Sequence, residues 1–344
     1  MNRIEEKFLN ATRDILEKNL QINELEYKDK QIILVYDFDS ILSTEISNWY
    51  ISNLKNRENT ELIDFNKIDT ESLKEKLLSL EKNSTVILVQ STNFRLDNFR
   101  IRLNLNNAWV WCLEHRHLVY NYDEQLENYA DALTYNWDFY NKVWWKLKKL
   151  SDEAETMTFI CNDWSTLKVE WWFEDMKLNH WVYIWKNRWG NFPIWENFTE
   201  AKHFDKVNWE LTVYAYPDEK LQVEFSKPFK IKIVNSIVTC DDANCPETFR
   251  KILDFISEFE NNEVMFRELW FGLNTWISRE KRVADVNAYE RVAWFHISLW
   301  KKHQIYRKKL DKSVVQRYHI DIFPDIKEIY IDDIKIFEDN LYLI

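Results

Sequence analysis

QIILVYDF, residues 31–38, is a short, β-rich and largely apolar run that reads as a strand buried on both faces. Residues 1–20 before it carry apolar positions at helical spacing, and helix-like ISNWYISNLKN (46–56) follows. LKEKLLSLEK (73–82) repeats the helical pattern, and STVILVQS (84–91) supplies a second buried-strand candidate. Strands alternating with helices indicate an α/β domain. A further helical stretch, 123–150, runs into the charged connector KKLSDEAET (148–156). That connector sets the expected boundary between an N-terminal α/β domain, 1–152, and a C-terminal domain, 153–344.

Beyond it the texture changes. TFICND (158–163), STLKVEWW (165–172), WVYIW (181–185), ELTVYAYP (210–217), FKIKIVNSIV (229–238) and VAWFHISLW (292–300) all read as strands. PETFRKILDFISEFE (246–260) is a helix among them, and IKEIYIDDIKIFEDNLYLI (326–344) reads as a terminal hairpin. The expected fold is therefore α/β with two domains, the second a strand-rich mixed α+β domain.

Composition narrows the classes. With 46 Lys plus Arg against 57 Asp plus Glu, the net charge of −11 argues against a general nucleic-acid or acidic-membrane binder. The N-terminus mixes acids and bases without the apolar centre of a signal peptide, and no run approaches a membrane span, so a cytoplasmic location is expected. Cys112, Cys161, Cys240 and Cys245 lack the paired spacing of a structural zinc site and read as reduced, inert thiols, including the two in CDDANC (240–245).

The abnormal count is glycine, with 2 residues beside 18 tryptophans. Average glycine usage is about 7%, a share that the two types together approach. Many tryptophans fall in turn-like contexts: NNAWVW (106–111), CNDW (161–164), VNWE (207–210) and LNTW (273–276). We hypothesise that many of these positions are glycines written as tryptophan, as happens when UGA codons that specify glycine are translated as tryptophan. Ordinary TGG codons at Trp195, Trp270 and Trp294 in the coding DNA would sink that hypothesis.

Several polar clusters are candidates for chemistry. Asp37 and Asp39 end the first strand, where a phosphatase nucleophile and acid would stand, but the following Ser40-Ile41 breaks that motif and a solvated pair is favoured. Glu114, His115, Arg116 and His117 form a dense cluster that reads as a surface or interdomain contact. The strongest set is Glu196, Glu268, His296, His319 and Asp321. His319 and Asp321 in YHIDIF (318–323) are two apart on a strand and so share a face. His296 is a lone polar group on a core-like strand face, where a hydrogen-bonded core histidine is the bland alternative. Glu196 and Glu268 sit in apolar surroundings that make an unpaired carboxylate costly. Three carboxylates and two imidazoles suit a pair of divalent ions, whose natural use is to acidify a water for hydrolysis.

These motifs, in this order, resemble the aminopeptidase T-like thermophilic metallo-aminopeptidases. RWGNFPIWENFTEA (188–201) is similar to the family's Asn-x-Pro-x-Gly-Glu-x-Phe segment, with Trp195 at glycine and Glu196 at the metal-binding glutamate. RELWFGLNTWISR (267–279) resembles its Glu-Leu-Gly-x-Gly-x-Asn segment and places Glu268 at a second ligand. AYERVAWFHISLW (288–300) carries His296 onto the ligand histidine, and YHIDIF carries His319 and Asp321 onto the His-x-Asp pair. The resemblance covers about residues 182–340. The family has glycine, or tolerates it, at Trp189, Trp195, Trp209, Trp270, Trp276, Trp294 and Trp300.

The resemblance implies a dinuclear exopeptidase, usually a homodimer, that removes N-terminal residues from peptides with zinc, cobalt, manganese or magnesium. Glu196 or Glu268 would carry the proton. One departure stands out: seven residues past His296, where the family has a catalytic tyrosine, this chain has His303, with Tyr306 nearby in the basic run KKHQIYRKK (301–309). His303 and Tyr306 are the candidate replacements. Two other readings remain: a mononuclear iron ring-cleaving dioxygenase using His296, His319 and Asp321, and a non-catalytic peptide-binding relative.

Overall fold

A computed structural model describes residues 2–24, 27–119, 123–134, 136–170, 173–179, 189–203, 207–259, 262–283, 285–299 and 319–344. From the N-terminus, α1 (Arg3–Asp14) leads to β1 (Ile32–Tyr36), α2 (Ile41–Leu54), β2 (Thr60–Asp64), α3 (Thr70–Leu78), β3 (Thr85–Val89), α4 (Ile101–Asn107) and β4 (Trp111–His115). Then come α5 (Asp123–Ala132), α6 (Trp137–Glu153), β5 (Thr156–Cys161), β6 (Thr166–Glu170), β7 (Lys177–Asn179), β8 (Trp189–Phe192) and β9 (Glu196–Glu200). The chain continues through β10 (Trp209–Pro217), β11 (Val223–Val234), β12 (Ile237–Thr239), α7 (Glu247–Phe259) and β13 (Phe266–Gly272). It ends with α8 (Val286–Tyr289), β14 (Phe295–Leu299), β15 (Ile320–Pro324), β16 (Ile326–Ile331), β17 (Ile334–Glu338) and β18 (Leu341–Tyr342). No described helix is long and apolar enough to cross a membrane.

The chain divides into two compact units, and both are discontinuous in sequence. One comprises 1–135, 180–194 and 281–288; the other comprises 136–179, 195–280 and 289–344. The expected single cut at 152/153 differs from this division, because α6 packs with the second unit. The helical stretch expected over 123–150 is also two helices, the second opened by Asn136, whose side chain accepts from the Phe139 N–H.

The first unit is built on a parallel sheet in the order β2-β1-β3-β4-β8. Ile33, Leu34 and Val35 are all 0% exposed, as an apolar run buried on both faces requires. Ser40 caps α2 by accepting from the Ser43 N–H at 2.9 Å. Two expectations are corrected here. Asp37 is buried, not solvated, because its Oδ2 accepts from both the N–H and the hydroxyl of Ser91 at 2.8 Å; Asp39 alone is exposed. His115 is no surface group but a fully buried residue at the end of β4, its ring held by Tyr50 and Tyr129.

The second unit carries an eight-stranded sheet, β12-β11-β10-β15-β14-β13-β9-β7, and a five-stranded sheet, β18-β17-β16-β5-β6. The terminal hairpin read from 326–344 forms as β16 and β17. Cys240 and Cys245 form a disulfide, which corrects the reduced-thiol reading for that pair. Their spacing carries no motif, and only the turn between β12 and α7 brings the sulfurs together. Cys112 and Cys161 are free and buried.

Trp109, Trp164 and Trp195 have φ of 64°, 67° and 97°, the left-handed region that disfavours a bulky side chain. Trp189, Trp209 and Trp270 lie in strands, where φ makes no such demand. Backbone conformation therefore calls for glycine at some of the suspect positions and not at others.

Candidate metal centre

The site grows from strand register. β9, β13, β14 and β15 are antiparallel neighbours, so residues directly opposite share a face. Register aligns Glu200, Glu268, Ser298 and Asp321 across the four strands. Two residues along, on the same face, it aligns Phe198, Trp270 and His296. Glu196 pairs with Gly272 one step further. The intervening residues Leu269, Phe271, Phe295 and Ile297, all 0% exposed, point to the opposite face and form core. Four polar positions that are far apart in sequence are thus gathered by the period of two.

Gly272 brings in two more groups. A Cβ there would lie 1.9 Å from the Val292 carbonyl oxygen, so only glycine lets the 290–294 segment lie against β13. Gly272 N–H donates to the Trp294 carbonyl at 2.8 Å, and Asn274 N–H donates to that of Arg291 at 2.8 Å. This contact delivers Glu290 and Arg291 beside Glu196. Arg291 Nη1 donates to Glu196 Oε2 at 2.5 Å and to Glu290 Oε2 at 2.7 Å.

The other donors cluster around Asp321. His319 Nε2 lies 2.9 Å from both Asp321 oxygens, and His296 Nε2 lies 3.9 Å from Oδ1. His319 Nδ1 is 3.9 Å from Glu268 Oε2. That Glu268 oxygen also accepts from the Ser298 hydroxyl at 2.7 Å and from Trp270 Nε1 at 3.1 Å. Trp270 stacks on the His296 ring with centroids 5.7 Å apart.

Burial and charge set the protonation states. Burial pushes His296 down to about 3, so its imidazole is neutral. Burial would lower His319 too, but the Asp321 carboxylate overrides it and raises the ring to about 9. Against the same burial, the His319 cation holds Asp321 below the usual carboxylate range. Burial, and then the Asp321 charge, push Glu290 well above it. Several acids in one pocket ionise together only if cations neutralise them.

The donor set fits a divalent ion chemically: neutral or deprotonatable imidazoles, carboxylates, and two buried atoms, Glu268 Oε1 and His296 Nδ1, that lack a hydrogen-bond partner among the described residues. Among the described residues, however, no three His, Cys, Asp or Glu side chains stand arranged to hold a metal ion. Direct side-chain pairs, His319 with Asp321 and Arg291 with Glu196, take up the oxygens instead. All five residues picked from sequence lie on or beside this sheet face. His303 and Tyr306 lie outside the described residues. Sequence reasoning missed Glu290, Arg291 and Ser298, although an adjacent acid and base inside the apolar stretch AYERVAWFHIS is itself a sign of a buried pair.

The fold and this site define a two-unit α/β architecture with a buried imidazole–carboxylate centre in the strand-rich unit. No known protein family matches the sequence, and no curated protein is significantly similar to it. Solved structures do match the fold. One is the 2,5-dihydroxypyridine dioxygenase of Pseudomonas putida KT2440, with a TM-score of 0.64 and 13% identity over 98% of this chain and 97% of that one. Another is wild-type AmpT of Thermus thermophilus, with a TM-score of 0.60 and 11% identity over 98% of this chain and 99% of that one.

Proposed function

We propose that this chain is a metal-dependent aminopeptidase that hydrolyses the N-terminal bond of peptides. The observation that carries the reading is the register that puts Glu268, His296 and Asp321 on one sheet face, with His319 and Glu196 beside it. The fold shared with AmpT, a thermophilic aminopeptidase, supports it. In this reading Glu196, Glu268, His296, His319 and Asp321 hold two divalent ions, zinc, cobalt, manganese or magnesium. When bound, those ions supply an acidified water and a charge that polarises the peptide carbonyl.

The chain's own groups do the rest. Glu268 Oε1, buried and without a hydrogen-bond partner among the described residues, is the first candidate to take a proton and return it to the leaving amine. Ser298 holds the other Glu268 oxygen at 2.7 Å and so fixes the rotamer. Glu196 is the second candidate proton carrier. His303 or Tyr306 would take the place of the family tyrosine in polarising the carbonyl. The protein acts as a homodimer in the cytoplasm, on peptides rather than on nucleic acid or membranes.

Metal-dependent release of leucine from leucyl peptides tests this reading. One specific observation favours a second: Arg291 takes up Glu196; His296, His319 and Asp321 supply two histidines and one carboxylate with Glu268 beside them, and the dioxygenase shares the fold. Anaerobic iron loading followed by oxygen-dependent ring cleavage, without peptide turnover, decides for that alternative.

A further inference from the structure

CDDANC (240–245) joins β12 to α7, and its two cysteines are bonded to each other across a separation of 5 residues. The turn between them is also held by other means. The Asp242 carboxylate accepts from the Lys230 N–H at 2.7 Å and from the Asn244 N–H at 2.8 Å. The Asp242 carbonyl accepts from the Cys245 N–H at 3.0 Å and from Arg250 Nη2 at 2.6 Å. Beyond the turn, α7 docks through its own contacts. Phe249 is 0% exposed against Tyr216 and Phe229, with ring centroids 5.1 and 5.0 Å apart, and the Thr248 hydroxyl lies 2.6 Å from that of Tyr216. Breaking the S–S bond therefore removes none of the contacts that bring the two sulfurs together.

The four cysteines differ in what can reach them. Cys112 and Cys161 are free but 2% and 0% exposed, and burial pushes both thiols up, Cys161 to about 11, so they stay protonated and inert. The bonded pair lies instead in a surface turn, among exposed Asp241, Ala243 and Asn244. We propose that Cys240 and Cys245 are a reversible dithiol–disulfide couple, a modification site that exchanges with low-molecular-weight thiols and disulfides while the fold stays in place. In the reducing direction, the thiolate of a small thiol attacks one sulfur and displaces the other cysteine as a thiolate, which takes up a proton. A second small thiolate attacks the small-molecule sulfur of the mixed disulfide and releases the remaining cysteine. Two small thiols are thereby oxidised to their disulfide, and the protein pair is reduced. In the reverse direction, the turn holds the second cysteine beside the mixed disulfide, which favours closure over a lasting adduct. In the cytoplasm proposed above, glutathione is the small thiol, and disulfides in that compartment are usually redox-responsive ones. The couple uses no group of the imidazole–carboxylate centre and is independent of what that centre binds.

Treating the folded protein with excess reduced glutathione, then alkylating with iodoacetamide and measuring the intact mass, tests the couple. Two alkylated residues are expected, mapped to Cys240 and Cys245, with Cys112 and Cys161 untouched until denaturant is added. The circular dichroism of the reduced protein should match that of the oxidised one. Oxidised glutathione should then restore the intramolecular bond, whereas Cys240→Ser, which cannot close, should keep glutathione on Cys245. Asp242→Ala keeps both cysteines but loosens the turn, and should shift the balance between closed pair and glutathione adduct toward the adduct by about tenfold, the scale of one or two lost hydrogen bonds. If Asp242→Ala fails to fold, wild type and Cys240→Ser still decide. A bond that glutathione opens only in denaturant is a structural staple and would overturn the proposal. Loss of helical signal on reduction, or glutathione left on both cysteines of wild type, would overturn it too. An unchanged balance in folded Asp242→Ala would show that the turn does not hold the pair together.

Discussion

The Ser298 hydroxyl donates to Glu268 Oε2 at 2.7 Å, across two antiparallel strands whose register places the residues directly opposite. Both side chains are buried, so the bond holds a carboxylate that water cannot reach. Ser298→Ala should therefore cost about 1 kcal/mol of stability and weaken metal binding by about 10- to 100-fold. Equilibrium dialysis against zinc reads the second effect. Unchanged zinc affinity would mean that Glu268 needs no such support.

Glu268→Gln keeps shape and removes the base, and His319→Ala removes a ring within 2.9 Å of Asp321. Each should lower metal-dependent leucine release by at least about 100-fold while leaving the circular dichroism of the fold in place. Full activity in either variant counts decisively against these assignments. Chelation by EDTA should remove activity from wild type and lower its melting temperature, since a ligand that binds only the native state stabilises it.

The Gly272 position predicts a larger structural effect. A methyl group placed 1.9 Å from a carbonyl oxygen has to push the 290–294 segment away. Gly272→Ala should cost about 1 to 3 kcal/mol or more in urea denaturation. A variant as stable as wild type would show that the segment does not lie against β13.

His115 makes stability depend on pH. Tyr129 donates its proton to the Phe192 carbonyl at 3.1 Å, so its oxygen accepts from His115 Nδ1, and Nε2 faces the Tyr50 hydroxyl at 2.9 Å. Burial lowers this ring from 6.5 to about 3. Between those values the unfolded chain binds a proton that the folded chain does not, so the contribution is full above pH 6.5 and lost as pH falls toward 3. By pH 5 the loss is about 2 kcal/mol. His115→Gln should be less stable than wild type at pH 7 and lose less between pH 7 and 5. Parallel stability–pH curves for the two proteins would contradict the buried, neutral ring.

Trp109 and Trp164 test the glycine hypothesis where packing interferes least, at 46% and 67% exposure. Each indole lies under a lysine, Lys82 at 4.3 Å and Lys327 at 4.4 Å, a contact that any truncation removes. Glycine and alanine variants therefore lose the same indole, and only glycine relieves the positive φ. At each site the glycine variant should be more stable than the alanine variant by about 1 kcal/mol. Equal melting temperatures would show that these turns do not call for glycine.

Read from sequence, the alternation of buried strands with helices, the strand-rich second half, the terminal hairpin and the polar positions that register gathers on one sheet face were all legible. Each is a local signal: a run of apolar residues, a period of two, a polar residue where an apolar one belongs. The expected cut at 152/153 was a local signal too, a charged connector, and it could not report that α6 packs with the later strands or that 180–194 and 281–288 return to the first unit. The same holds for Cys240 and Cys245, whose bond depends on how a turn folds and not on their spacing.

By itself, then, the sequence determined which polar residues stand out as candidates and which periodic faces they share, because burial pattern and side-chain alternation are properties of neighbouring positions. Only the tertiary structure decided who faces whom. Strand register set Ser298 between Glu268 and Asp321, and the close approach at Gly272 set Arg291 on Glu196. Charge pairing in a buried site depends on distances of a few ångströms between strands far apart in the chain, where a one-residue slip would turn every one of these groups to the other face.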